Sequence, residues 1–116
     1  MSDVINTSIA EINAFLIRFK FQLVNGIEFV PRTYDGITML GLDITLAKAE
    51  LFDLTYLDYD RGPTLDHNGD GTDIWEFGKE IDGQMAYIKI KLTNDNKCKV
   101  LSFKPSTGPF MLPYQK

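Results

Sequence analysis

Glu76, Tyr87, Lys89, Lys91, Ser102 and Lys104 fall at even spacings within three short segments toward the C-terminal end of the chain. Together they supply a carboxylate, a phenol, a hydroxyl and several ammonium groups. That set suits the holding of a phosphodiester, because it offers an acceptor for a hydroxyl proton beside cations that offset anionic oxygens. A solvated sheet face carries the same residue types. The set therefore has chemical meaning only if the fold gathers it beside something more.

The elements that must gather it are strands. Residues 73–81, 85–93 and 98–104 are strand-like, and Asp82-Gly83-Gln84 and Asn94-Asp95-Asn96-Lys97 between them have turn chemistry and hairpin length. Short hairpins force an antiparallel meander. Side chains alternate along a strand, so parity separates two faces. Trp75 and Phe77, then Ile88, Ile90 and Leu92, then Leu101 and Phe103 form the apolar face. Their complements are Ile74, Glu76, Gly78 and Glu80; Tyr87, Lys89 and Lys91; and Cys98, Val100, Ser102 and Lys104.

Upstream, Ile9, Ile12, Phe15, Leu16, Phe19 and Leu23 recur at helical spacing, with Thr7 or Ser8 as cap, Glu11 placed for a capping box and Gly26 as a stop. A helix over 8–24 follows. Residues 27–30 read as a brief edge strand closed by Pro31, residues 35–42 as ambiguous with room for one helical turn, and residues 45–52 as a second helix capped by Asp43 or Thr45. Residues 55–72 are polar, rich in Gly and Asp and without periodicity, so they read as a long loop. Helices first and strands later predict one α+β domain over 1–116, its N-terminal helices packed on one face of a small antiparallel sheet.

Composition limits the function classes. The 116 residues are 44% hydrophobic and 24% charged, as in an ordinary globular protein. No window approaches the ~18 uncharged apolar residues of a membrane span. The N-terminal apolar stretch is broken by Glu11, Arg18 and Lys20 and lacks a basic start, so no leader peptide is expected. A single cysteine, Cys98, makes no internal disulfide, which fits the cytoplasm, and it reads as a small apolar residue starting a strand. The net charge of −4 argues against nucleic acid as a partner, and no DNA binding by the chain on its own is expected. That average hides an asymmetry. Residues 1–83 hold six Lys and Arg against fifteen Asp and Glu, whereas residues 84–116 hold Lys89, Lys91, Lys97, Lys99, Lys104 and Lys116 against Asp95 alone.

The run Trp75-Glu76-Phe77-Gly78-Lys79-Glu80-Ile81-Asp82-Gly83, followed by Tyr87-Ile88-Lys89-Ile90-Lys91-Leu92 and Ser102-Phe103-Lys104, resembles the MqsR family of bacterial type II toxins. Leu54 to Pro63 is similar to the family's segment ending in Asp-Tyr-x-Lys/Arg-Gly-Pro, and the aromatic, Pro-containing stretch Pro109 to Tyr114 also fits. The resemblance covers roughly residues 9–116. It implies a RelE-like α+β fold, metal-independent cleavage of single-stranded mRNA without a cofactor, and a cognate antitoxin protein as partner. It places the family's basic loop residue at Arg61, its polar residue at Glu76, its tyrosine at Tyr87 and its C-terminal lysine at Lys104, with Lys79, Lys89 and Lys91 as RNA contacts. Five of those positions, Glu76, Tyr87, Lys89, Lys91 and Lys104, lie on the face that parity had isolated. In such a mechanism Glu76 is the natural base, a neutral lysine the other candidate, and Arg61 the phosphate-holding group.

Two other features compete. Asp66, Asn68, Asp70 and Gly71 match the start of an EF-hand calcium loop, but its twelfth position, where that loop places a bidentate Glu, is Phe77. An Asp/Gly-rich turn is the plainer reading. The alternative function is accordingly a non-catalytic module binding a protein or calcium through this acidic loop. His67, the sole histidine, sits in the same loop and cannot by itself build a catalytic zinc site.

Overall fold

Ser8 and Glu11 start the first helix as a reciprocal pair: the Ser8 hydroxyl accepts from the Glu11 N–H, and the Glu11 carboxylate accepts from the Ser8 N–H, both at 3.1 Å. The helix, α1 (Ile9–Leu23), buries Ile12, Phe15, Leu16, Phe19 and Leu23, each contributing about 1.5–3 kcal/mol of apolar burial. The computed structural model describes residues 7–115. Lys116 and the first six residues, on which the expectation of no leader partly rests, lie outside them.

Strand β1 (Ile27–Phe29) leads into α2 (Arg32–Met39), which makes two turns where the sequence suggested one. Gly36 is the reason α2 sits so close to the sheet. A Cβ there would meet the Phe103 carbonyl and lie 2.6 Å from the Lys104 Cβ. Helix α3 (Ile44–Phe52) follows, with Asp43 accepting from the Leu46 N–H at 2.8 Å, and then a single 3-10 turn at Tyr56–Asp58.

The sheet has five strands: β1, then β2 (Tyr59–Leu65), β3 (Asp73–Ile81), β4 (Gln84–Leu92) and β5 (Cys98–Pro105), in the order β1-β5-β4-β3-β2. The expected meander β3-β4-β5 forms its centre. The α+β class holds, with a sheet that is wider and mixed, because β1 joins β5 in parallel while every other pair is antiparallel. Residues 59–65, expected within a long loop, form β2 against β3. Register shifts between Tyr59 and Arg61 and again between Arg61 and Thr64 break its alternation, which is why the pattern was invisible.

Helices α1 and α3 cover the apolar face, while α2 packs along β5. Phe15 stacks on Trp75 at 4.6 Å between ring centroids, and Phe19, Phe77, Ile88, Ile90, Val100 and Phe103 fill the layer between. Parity fails on β5. A bulge places one extra residue, Leu101, between the pairs Lys89–Ser102 and Ile90–Val100. Phe103 therefore shares the core face with Val100 and Cys98, not with Leu101, and the expected assignment of Val100 and Cys98 to the polar face is corrected. The Cys98 thiol is buried, donates to the Phe19 carbonyl and is raised by burial to about 11, as an inert core residue should be. No helix among the described residues is long and apolar enough to cross a membrane.

Candidate functional site

On the far side of the sheet the polar residues stand in cross-strand register. Arg61 pairs with Glu76, Glu76 with Lys89 and Lys89 with Ser102; one step along, Gly78 pairs with Tyr87 and Tyr87 with Lys104. Neighbouring strands lie about 4.8 Å apart, so residues from four strands meet within one patch. A cleft of about 270 Å³ opens there, lined by Asp60, Arg61, Glu76, Tyr87 and Lys104 and walled by Ser106 to Phe110 of the C-terminal segment.

Its polar contacts centre on Glu76, whose side chain is 14% exposed. The Tyr87 hydroxyl donates to Glu76 Oε1 at 2.6 Å, and Arg61 Nε stands 4.0 Å from the same oxygen. Burial first, and then the bond to the Glu76 carboxylate, push the Tyr87 phenol well above the usual tyrosine value, against a smaller opposing pull from Arg61. Tyr87 therefore keeps its proton and directs it to Glu76 as a hydrogen-bond donor. Lys104 Nζ lies 5.9 Å from the centre of the Tyr87 ring, within cation–π range.

Two lining residues escaped the sequence reading. Asp60 is the inserted residue of the β2 bulge, and its buried carboxylate sits 3.5 Å from Arg61 Nε while accepting from the backbone N–H groups of Met111 and Leu112. It thereby ties the C-terminal segment to the cleft. Phe110 lies over Gly78, where a Cβ would approach its ring to 2.6 Å, and stands 6.5 Å from the Tyr87 ring. The acid beside Gly62-Pro63 and the aromatic tail were the available signals, but neither announced a partner across about fifty or thirty residues of chain.

The structure separates two expected RNA contacts from this group. Lys79 alternates with Phe77 and Ile81 and so belongs to the helix side, where it pairs with Glu50 at 2.6 Å and Asp53 at 2.9 Å. Lys91 shares the polar face, yet its side chain is 3% exposed and its ammonium lies 2.7 Å from both Asp66 and Asp70. The acidic loop folds down on Lys91, so an internal ammonium stands where the calcium alternative would put its ion. No group of three or more His, Cys, Asp or Glu side chains fit for a metal occurs among the described residues. His67 is exposed at the tip of that loop, away from the cleft residues. Arg61, Glu76, Tyr87 and Lys104 remain together, with Lys89 adjoining.

The arrangement can accept a proton at a carboxylate, donate one from an adjacent phenol, and hold an anion between a guanidinium and an ammonium. Comparison of the chain with protein-family models, with curated proteins and with solved structures finds no match.

Proposed function

We propose that this protein is a metal-independent endoribonuclease acting on single-stranded RNA, a toxin of the MqsR-like kind that works in the cytoplasm and is neutralised by a cognate antitoxin protein. The observation that carries the reading is the convergence of Arg61, Glu76, Tyr87 and Lys104 on one cleft, with Tyr87 bonded to Glu76.

In the proposed step Glu76 takes the proton of a ribose 2′-hydroxyl, whose oxygen attacks the neighbouring phosphorus. Arg61, whose planar fork can bind two oxygens at once, and Lys104 offset the charge that gathers on the phosphoryl group. The bond from phosphorus to the 5′-oxygen breaks, and Tyr87 or Lys104 protonates the leaving oxygen. The products are a 2′,3′-cyclic phosphate and a free 5′-hydroxyl. The raised proton affinity of Tyr87 keeps its phenol neutral and hydrogen-bonded to Glu76, which supports reading Glu76, the ionisable carboxylate of the pair, as the base.

Cleavage of a single-stranded RNA in the presence of a metal chelator tests this directly. Arg61→Ala and Lys104→Ala are each expected to lower the rate by about a hundredfold or more, the usual loss when one charge-stabilising donor is removed. Undiminished cleavage in both variants would sink the assignment. Induced expression of the wild type, but not of Lys104→Ala, should arrest growth with decay of mRNA. The non-catalytic alternative gains little, since the loop carboxylates it needs are engaged by Lys91.

A further inference from the structure

A second depression adjoins the cleft. It lies between α2 and the sheet, has a volume of about 530 Å³, and shares Tyr87 and Lys104 with the first. The two form one track with the Tyr87–Lys104 pair as the ridge between them. Pockets of about 300–1,000 Å³ hold ligands of nucleotide size.

The two ends of the track differ in charge. Asp60 and Glu76 balance Arg61 and Lys104 in the cleft, whereas Arg32, Lys89 and Lys104 face only Asp35 in the groove. Arg32 is held ready there. Its Nε donates to the carbonyl of Leu101 at 2.8 Å, and its two terminal nitrogens take no acceptor among the described residues. The acceptor belongs to the bulged residue of β5, so the irregularity that upset the strand's parity also positions this arginine. Lys89 and Ser102 are a registered pair on the floor, and Met39, 67% exposed on α2, offers an apolar, polarisable surface on the opposite wall.

We propose that this groove is a second nucleotide subsite, taking the phosphate and base next to the scissile linkage. Resting on the ribonuclease reading, the inference gives it a substrate class: single-stranded RNA extending at least one nucleotide beyond the cleft toward α2. Arg32 and Lys89 hold the next phosphate, and Met39 meets the face of its base. The cleft alone, with its balanced charges, has little reason to retain a polyanion; the groove supplies that retention.

The test is binding of 2′-O-methyl oligoribonucleotides, which cannot be cleaved, followed by fluorescence anisotropy for lengths of two and six nucleotides at several salt concentrations. Wild-type affinity is expected to rise about tenfold with length. Arg32→Gln and Lys89→Ala should each remove most of that rise and lower the salt slope by about one, the signature of a lost phosphate contact. Should Arg32→Gln fail to fold, Lys89→Ala and Met39→Ala carry the test. Folded variants that keep both the length dependence and the slope overturn the subsite and leave the cleft standing, as does a wild type that binds both lengths equally. A wild type that neither binds nor cleaves RNA overturns the ribonuclease reading, and the subsite with it.

Discussion

Tyr87 carries more of the site's order than any other side chain, because its ring forms the ridge of the track and its hydroxyl fixes Glu76. Tyr87→Phe keeps the ring and removes the donor. Cleavage is expected to fall by about a hundredfold, the lower range for a lost acid–base group. Folding stability in urea should fall by about 1 kcal/mol, small because the bond is partly exposed to water. The pH dependence has a definite sign. A phenol raised by folding contributes its stability in full below the ordinary tyrosine value, about 10, and loses it as pH rises through the folded value. Wild-type stability should therefore decline faster than that of Tyr87→Phe above about pH 10, and parallel curves would contradict the bond. At this scale the sequence was informative in part: alternation placed Glu76, Tyr87, Lys89 and Lys104 on one face without separating a site from a solvated surface. Asp60 was not, because it acts only where a bulge turns it toward a segment far along the chain.

Among the elements, the segment 55–72 is the one the sequence described least well. Read as loop, it contains a strand whose ladder slips twice and a turn pinned to the sheet by Lys91. Bonds from the Lys91 ammonium hold the carboxyls of Asp66 and Asp70 below the usual carboxylate range, with Thr72 and the Asn94 N–H adding to the effect on Asp70. Burial works against the Lys91 charge, and the two carboxylates outweigh it, leaving Lys91 raised. The lowered carboxyls contribute stability above their unfolded value, about 4, and lose it as pH falls through the folded values. The raised ammonium loses its contribution as pH rises past the ordinary lysine range. Lys91→Met should therefore lower the thermal midpoint most near neutrality, the gap to wild type starting to narrow only as pH falls below about 4. A gap independent of pH in circular-dichroism melts would exclude the clasp. Sheet parity foretold which face Lys91 occupies, but not that an acidic turn would cover it. A period-two pattern records direction and carries no information on what folds back across a face.

Across the whole molecule, the polar face is completed from a distance. The sheet's edges are poor templates for further pairing, since β1 is three residues long and β2 is bulged and carries Pro63. Its open face is narrowed by residues 106–112, fastened through Asp60, while the Tyr114 hydroxyl donates to the Thr7 carbonyl. Asp60→Ala should free that segment, raising its cleavage by protease and cutting RNA cleavage, while Asp60→Asn, which keeps an acceptor oxygen, should recover part of both. Equal protease resistance in wild type and Asp60→Ala would refute the tether. The order of synthesis gives the tether a further meaning. Every strand precedes residues 106–112 along the chain, so the face of the sheet is laid down before the segment that walls its cleft.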